Sequence, residues 1–414
     1  MEVFFLRIEM YSHNAKRMKS SIIRELLKNT MQPGMVSFGG GAPDPETFPS
    51  KELAEISQEV IKNEYKTCLQ YGTTEGDKLL REEYLKLLKE HDNISGLDLE
   101  NIMIVAGSQS SLDLISKVFL DHDSIYFISK PAYLGAASAF SIFSRNNEDL
   151  LLKEDGMDLD TLERRLEEIK QKGELLKVKF VYVVPNFHNP AGVTLSLEKR
   201  KRLLSICEKY DILVVEDDPY GSLRYNGEAI PSLFELGTYN RVLLLKTFSK
   251  VLSPGMRLGF IIGREDVVHS LVRAKQSTDL CTSSLTQRIA ARFLQKHDIY
   301  ESINNTIKIY RRKKDIMLEE LEEQFKDLPM TWTKPEGGLF IWATLPEKFD
   351  THEMLDIALK HGVIYIPGDA FSINNGCNNS MRLSFCLPPE DDIVEGVKRL
   401  KKAVLEYGHE KGLL

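Results

Sequence analysis

The sequence predicts an α/β fold in which a mostly parallel sheet is flanked by helices, together with a smaller α+β domain. In the middle of the chain, short apolar runs alternate with stretches of helical periodicity. Several of these runs contain no polar residue, as expected for strands that are covered on both faces. The predicted strands lie at residues 102–106, 125–128, 178–184, 212–215, 242–245 and 258–262.

The length of the chain, 414 residues, is too great for one ordinary hydrophobic core and predicts two domains. We expect an N-terminal arm at 1–49 that packs with the small domain, a large domain at 50–296 and a small domain at 297–414. Long helical patterning replaces the strand–helix alternation after residue 283. The later elements predicted are strands at 338–342 and 381–385, a helix from Asp350 to about Gly362, and a last helix from Pro389.

Composition and charge exclude several classes of protein. A net charge of -7 and a pI of about 5.8 give the chain no overall attraction to nucleic acid or acidic membranes, so neither is an expected partner. The five cysteines are scattered and form no C-x-x-C pair, which argues against a disulfide framework or a zinc site. No signal-peptide core or apolar span of membrane length occurs, so we expect a cytoplasmic protein.

Polar motifs follow the predicted strands in turn. After the first strand, Gly107-Ser108-Gln109 opens a helix whose free N–H groups and partial positive charge suit a phosphate. An ordinary strand-to-helix turn is the alternative interpretation. After the second strand comes Tyr133, an aromatic side chain suited to stack on a flat ring, although a core or rim tyrosine fits the position as well.

The third strand is followed by a loop that contains Asn189-Pro190, a common turn signal. The Asn189 amide suits a phenolic oxygen and a carboxylate of bound molecules. We interpret the preceding His188 as loop packing rather than as a catalytic base. Nothing in the sequence places a metal ligand near it.

The fourth strand ends in three carboxylates, Glu216, Asp217 and Asp218, followed by Tyr220. Carboxylates at the end of an apolar strand are costly to bury unless one of them meets a cation. A protonated pyridine nitrogen is such a cation, and Asp217 beside it would keep the ring positive, while Tyr220 could donate to a phenolic oxygen. A metal or surface cluster is the alternative, but no histidine lies nearby in the sequence, so we predict no metal site.

The fifth strand leads into Thr247, Ser249 and Lys250, and Arg257 follows seven residues after the lysine. Two hydroxyls and an arginine can hold a phosphate, and a lysine amine can form a Schiff base with an aldehyde, which together is what a pyridoxal phosphate site requires. A single lysine is usually a solvated surface charge. The interpretation therefore depends on the other motifs, since the carboxyl ends of parallel strands meet at one edge of a sheet.

Arg382 lies inside an otherwise apolar strand and needs a partner there. A bidentate clamp on the α-carboxylate of an amino acid would supply one, and a structural ion pair is the alternative.

In this order, the motifs resemble the class I/II family of aminotransferases that depend on pyridoxal phosphate (fold type I), over about residues 21–400. The resemblance adds a Gly-Gly-x-Pro arm, with Gly40 near the substrate, and Tyr71. It implies that Lys250 binds the cofactor and shuttles a proton, Asp217 pairs with the ring nitrogen, and Arg382 and Asn189 hold the substrate carboxylate. It also implies that Asn189 and Tyr220 meet the phenolic oxygen, that Tyr133 stacks on the ring, and that Gly107, Ser108, Gln109, Thr247, Ser249 and Arg257 hold the phosphate.

The resemblance also implies a homodimer with shared active sites, because Tyr71 is similar to a tyrosine that reaches the phosphate of the neighbouring subunit's cofactor. One small departure is Thr247, where serine is common. The arm at 16–27 and 37–43 is similar to that of the kynurenine/2-aminoadipate aminotransferases and of broad-specificity and aromatic enzymes. In that subgroup an arginine at the position of Arg24 binds an acidic side chain; capping of an amphipathic helix is the alternative.

The function we predict is transfer of the amino group of an L-amino acid to 2-oxoglutarate by a ping-pong mechanism. The partners are then free amino acids (2-aminoadipate, aromatic or others) and 2-oxo acids. A lyase or decarboxylase on the same fold is one alternative. A regulatory protein that binds pyridoxal phosphate is another, opposed by the acidic charge and by the short stretch of about 20 residues before the arm. A nucleotide-binding protein is disfavoured because no P-loop or G-x-G-x-x-G follows a strand.

Overall fold

The computed structural model describes residues 8–18, 34–237 and 240–414. Its strands are β1 (Val36–Ser37), β2 (Ile102–Val105), β3 (Ile125–Lys130), β4 (Asn146–Lys153), β5 (Gly156–Met157), β6 (Val178–Val183), β7 (Leu213–Asp217), β8 (Val242–Thr247), β9 (Gly259–Ile262), β10 (Thr331–Trp332), β11 (Phe340–Thr344), β12 (Val363–Ile364), β13 (Ile366–Pro367) and β14 (Ser380–Ser384).

The α-helices of the described residues are α1 (His13–Arg17), α2 (Ser50–Cys68), α3 (Lys78–His91), α4 (Ser108–Phe119), α5 (Leu134–Phe143), α6 (Leu159–Gln171), α7 (Leu197–Tyr210), α8 (Leu233–Leu236), α9 (Glu265–Gln276), α10 (Ser284–Lys296), α11 (Ile299–Phe325), α12 (Leu355–Lys360) and α13 (Glu390–Glu410). Local sequence sets several of their ends. The side chains of Asp158 and Ser196 cap α6 and α7, and Asp211 adopts a left-handed conformation where α7 stops.

An eight-stranded sheet forms the large domain, with the strand order β2-β9-β8-β7-β6-β3-β4-β5. Strands β3, β4, β6, β7 and β8 run parallel, whereas β9 is antiparallel to both of its neighbours and β5 is antiparallel to β4. The prediction of an α/β fold with a mostly parallel sheet flanked by helices is confirmed.

Alternate residues of the central strands pack into two separate apolar cores, one on each face of the sheet. Tyr182, Val215 and Leu245 belong to one core, and Val183, Val214 and Leu244 belong to the other. This period of two follows from the pleat of a strand and makes unbroken apolar runs necessary. It also decides which polar residues at the strand ends share a face.

The C-terminal part contains a four-stranded antiparallel sheet in the order β10-β11-β14-β13, and α11 packs against α13. In the arm, β1 pairs in parallel with β12 of this part. Two predicted boundaries shift. The strand expected at 338–342 begins at Phe340, and the Asp350 side chain caps a turn at His352 and Glu353 before α12 begins at Leu355. No helix among the described residues is long and apolar enough to cross a membrane.

Candidate active site

A cavity of about 290 Å³ lies where the carboxyl ends of β6, β7 and β8 meet the arm and β14. Such a crevice at the carboxyl ends of parallel strands is the usual position of a ligand site in an open α/β sheet. The cavity brings together residues that are far apart in the chain: Gly41, Ser108, Gln109, Tyr133, Val184, Asn189, Asp217, Pro219, Tyr220, Thr247, Ser249, Lys250, Pro254, Arg257 and Arg382. Within the described ranges, no group of acidic, histidine and cysteine side chains is arranged to hold a metal ion.

Three predicted site residues within the described ranges do not line this cavity. Gly40 precedes the lining residue Gly41, and Gly107 lies against the Arg257 guanidinium. Tyr71 lies outside the cavity with 80% of its surface exposed. Arg24 lies outside the described residues.

The Lys250 amine points to the arm. Its Nζ donates a hydrogen bond to the Gly41 carbonyl oxygen at 2.9 Å. Burial lowers the pKa of Lys250 to about 8, and the positive charges of Arg382 and Arg257 act in the same direction. A lysine with this pKa is partly neutral near pH 8, so it can act as a base or as a nucleophile.

Asp217 holds one carboxylate oxygen free in the cavity. Its Oδ2 accepts a hydrogen bond from the Tyr182 hydroxyl at 2.6 Å, whereas its Oδ1 is buried and has no hydrogen-bond partner among the described residues. Burial raises the pKa of Asp217 to about 7. A buried carboxylate oxygen without a donor is costly, and a protonated ring nitrogen would supply the missing hydrogen bond and charge.

Asn189, Tyr220 and Arg382 form a chain of hydrogen bonds along one wall. Asn189 Nδ2 donates to the Tyr220 hydroxyl at 3.2 Å, and Arg382 Nη1 donates to Asn189 Oδ1 at 3.0 Å. Arg382 Nη2 donates to the Gly39 carbonyl at 2.7 Å, while Nε is buried without a partner. The guanidinium makes no ion pair with a carboxylate of the described residues, and it lies over the rings of Phe340 and Phe371.

The opposite end of the cavity suits a phosphate. Helix α4 begins at Ser108 with no side chain capping its N–H groups, and Arg257 Nη2 donates to the Ala106 carbonyl at 3.1 Å. Gly107 has a φ of 81°, and a Cβ atom there would lie 2.5 Å from Arg257 Nη2. The backbone conformation therefore favours glycine, and a larger residue would also have to displace the end of the Arg257 side chain.

The hydroxyls of Thr247 and Ser249 are hydrogen-bonded to each other at 3.0 Å beside this end. Tyr133 lies in the cavity wall, where burial raises the pKa of its hydroxyl to about 12 and keeps it protonated. His188 is outside the cavity and is hydrogen-bonded through Nε2 to Ser129 Oγ at 2.8 Å, a structural contact that agrees with the interpretation as loop packing.

Sequence reasoning missed Tyr182. The residue lies in the apolar run of β6, where it looks like an ordinary core tyrosine. A signal was available, because a buried tyrosine in a strand usually has a hydrogen-bond partner for its hydroxyl. That partner is Asp217 on the neighbouring strand.

The residues of the cavity fit pyridoxal phosphate. Its lining includes a helix N-terminus, two hydroxyls and an arginine, together with a carboxylate that has one oxygen without a donor. The Lys250 amine and the free Nε of Arg382 complete the set.

Comparison with known proteins gives consistent matches over nearly the whole chain. The family model "Aminotransferase class I and II" matches residues 33–400. The chain is 42% identical to the aromatic-amino-acid aminotransferase 1 of Thermococcus litoralis over 396 residues, which covers 96% of this chain and 94% of the relative.

Solved structures give the same result. A kynurenine aminotransferase of Pyrococcus horikoshii, in complex with PMP and kynurenine, has a TM-score of 0.91 at 42% identity, covering 96% of this chain and 97% of that chain. The alpha-aminoadipate aminotransferase of Thermus thermophilus, complexed with N-(5'-phosphopyridoxyl)-L-leucine, has a TM-score of 0.87 at 35% identity, covering 97% and 99%.

Proposed function

The chain belongs to the class I and II aminotransferases, and from this premise we propose that it transfers the amino group of an L-amino acid to 2-oxoglutarate in two alternating half-reactions. The enzyme is a transaminase, and its cofactor is pyridoxal phosphate. The observation that carries the proposal is the convergence, in one cavity, of the Lys250 amine with the unpartnered oxygen of Asp217 and the free Nε of Arg382.

We infer the following roles toward the cofactor. The phosphate would be held by the N-terminus of α4 and by Ser108, Gln109, Thr247, Ser249 and Arg257, with Gly107 making room for the arginine. Asp217 would bind the ring nitrogen, Tyr133 would cover the ring, and Asn189 and Tyr220 would bind the phenolic oxygen. When bound, pyridoxal phosphate supplies an aldehyde that reacts with amines and a ring that accepts negative charge from the substrate's Cα.

Lys250 is the group proposed to move the proton. Its pKa of about 8 lies well below the ordinary value for lysine, so a neutral amine is accessible under mild conditions. The neutral Nζ would take the proton from the substrate's Cα and deliver it to the cofactor carbon that receives the amino group. Arg382, with Asn189 beside it, would hold the α-carboxylate and so keep that Cα within reach of Nζ.

The proposed donors form a broad set that includes aromatic, kynurenine-like and 2-aminoadipate-like amino acids. The support is that relatives of similar identity are named for each of these classes. An acidic side chain would be bound by Arg24, which remains a proposal from the sequence. A Cβ atom at Gly41 would lie 3.9 Å from Arg382 Nη1, so this glycine leaves room for the substrate there, and Gly40 beside it remains a proposal from the sequence.

We also propose a homodimer with shared sites. Tyr71 is 80% exposed, and Tyr65 and Leu69, which are close to it in the sequence, are more than half exposed, which is unusual for large side chains of this kind. A second copy covering this face would place Tyr71 at its partner's phosphate. The enzyme is proposed to be cytoplasmic, in agreement with five free cysteines.

The test mixes the purified protein that carries its cofactor with single amino acids, without any 2-oxo acid, and follows the visible spectrum. A transaminase converts its own cofactor to the pyridoxamine form, so the visible band is lost and one equivalent of 2-oxo acid appears. Adding 2-oxoglutarate should restore the band and release glutamate. Lys250→Ala is the control and should show neither change.

Other results would contradict the proposal. Ammonia or carbon dioxide released while the visible band persists would support a lyase or decarboxylase instead. A protein that binds no pyridoxal phosphate would remove the assignment of the site. Restoration by other 2-oxo acids but not by 2-oxoglutarate would correct only the acceptor.

A further inference from the structure

A second group of buried side chains, three charged and one amide, lies directly behind the active-site cavity. Asp218, Lys246, Asn186 and Arg200 are all at least nine-tenths buried, and none of them lines the cavity. The pleat of the strands explains this separation, because Asp217 faces the cavity and its neighbour Asp218 faces the opposite core. Asp218 and Lys246 border a separate void of about 20 Å³ on that side.

The Asp218 carboxylate is fully engaged, by donors from three different segments. Oδ2 accepts from Lys246 Nζ at 2.8 Å, and Oδ1 accepts from Asn186 Nδ2 and from the backbone N–H of Gly221, both at 2.9 Å. Charge-assisted hydrogen bonds of this kind are strong when they are buried.

Each donor lies within four positions of a proposed active-site residue in the sequence. Lys246 precedes Lys250 by four positions, Asn186 precedes Asn189 by three, and Gly221 directly follows Tyr220. One carboxylate therefore connects the three chain segments that carry the amine and the two groups proposed for the phenolic oxygen. Arg200 extends the connection, because its Nη2 donates to Asn186 Oδ1 at 2.6 Å and to the Pro185 carbonyl at 3.1 Å.

Burying these charges is costly, and stability alone is a weak reason to keep them. Replacing a buried ion pair by apolar residues is often neutral or stabilising. Although burial lowers the pKa of Lys246, Asp218 and Asp92 outweigh burial and raise it well above its ordinary value, so the lysine stays charged. The cost is understandable if the pair fixes geometry that an apolar contact would leave loose.

We propose that Asp218 is a positioning residue, which sets the relative placement of Lys250, Asn189 and Tyr220 around the cofactor without touching it. The inference rests on the proposed function of the cavity. It assigns a separate task to each of two neighbouring carboxylates: Asp217 meets the bound ring, and Asp218 holds the segments that surround it.

The test compares three variants, two of which lose hydrogen bonds made by Asp218 and one of which keeps them. Asp218→Asn keeps the size of the side chain but cannot accept from all three donors at once. Asp218→Asn/Lys246→Met removes the charge pair as a whole. Glu216→Gln is the matched control, because Glu216 is a buried carboxylate two residues before Asp218 but accepts from the N-terminus of α8 instead.

Three quantities are measured: the melting temperature, the dissociation constant for pyridoxal phosphate by equilibrium dialysis, and the visible circular dichroism per bound cofactor, which reports how firmly the ring is oriented. In Asp218→Asn we expect a lower melting temperature, cofactor binding weakened by about tenfold or more, and a reduced dichroic signal. The double variant should recover most of the melting temperature because the buried pair is gone and only the partly exposed Asp92, 3.7 Å from Lys246 Nζ, loses a cation, while its binding and dichroism stay impaired. Glu216→Gln should change the melting temperature alone.

Recovery of binding and dichroism together with melting temperature in the double variant would overturn the inference, since Asp218 would then be only the counter-ion of Lys246. Unchanged binding and dichroism in Asp218→Asn would overturn it as well. If Asp218→Asn does not fold, the double variant against Glu216→Gln gives the same decision. Wild-type protein that binds no pyridoxal phosphate would instead contradict the proposed function, which keeps the two failures distinct.

Discussion

The hydrogen bond between Tyr182 and Asp217 gives the sharpest test of how the site is built. Both side chains are buried, the distance is 2.6 Å, and the Tyr182 hydroxyl is the only donor to Asp217 among the described side chains. Tyr182→Phe removes one hydroxyl and leaves the ring in the core. A buried hydrogen bond to a charged group is worth about 1.5–3 kcal/mol, so its loss should lower the acid dissociation constant of Asp217 by roughly tenfold to a hundredfold.

The direction of the expected change in the pH profile follows from the pKa of Asp217. Burial has already raised it to about 7, and the Tyr182 hydroxyl opposes that rise. Without the hydroxyl the pKa rises further, so a higher pH is needed before the carboxylate can pair with a protonated ring nitrogen. We expect the acidic limb of the kcat/KM profile to move upward by about 1–2 pH units and cofactor binding at pH 7 to weaken about tenfold or more.

Tyr126→Phe is the matched control for this experiment. Tyr126 is a buried tyrosine on the neighbouring strand β3, and its hydroxyl has no hydrogen-bond partner among the described residues. Its removal should leave the pH profile and cofactor affinity unchanged and the stability equal or higher. A Tyr182→Phe enzyme with the same acidic limb and the same cofactor affinity as Tyr126→Phe would refute the reasoning.

Three further predictions follow from the same geometry. Gly107→Ala should displace Arg257 and weaken cofactor binding, whereas Gly173→Ala, which has a similar φ but open space around it, should only lower the melting temperature; equal cofactor affinity in the two would contradict the clash. In cofactor-free protein, Lys250→Met should raise the free energy of unfolding by roughly 3 kcal/mol below pH 8, because the folded wild-type protein holds a charged lysine there whose pKa is lowered to about 8. Urea unfolding should show this gain in stability fading as the pH rises toward 10.5. A gain that does not depend on pH would contradict the lowered pKa. Arg24→Ala should lower kcat/KM for 2-aminoadipate and glutamate relative to leucine, and an unchanged ratio of these values would remove Arg24 from the substrate site.

Local sequence was sufficient where a polar motif directly follows an apolar strand. Each motif after β2, β3, β6, β7 and β8 contributes a side chain to one cavity, because parallel strands end at the same edge of the sheet. Strand β4 was not predicted. Its residues alternate only weakly and are half exposed near the edge of the sheet, so the pattern of a buried strand is missing.

The sequence by itself determined the fold class, the family and the order of the chemical groups, since these depend on periodicity and on residues next to one another in the chain. Tertiary structure alone decided which groups meet. The Lys250 amine is hydrogen-bonded to Gly41, which is 209 positions away in the sequence, and Arg382 is hydrogen-bonded to Asn189, which is 193 positions away. Tertiary structure also decided that Asp217 faces the cavity while Asp218 faces away from it. The pleat of the strand puts neighbouring side chains on opposite faces, but the packing of the arm and β14 determines which face holds the site.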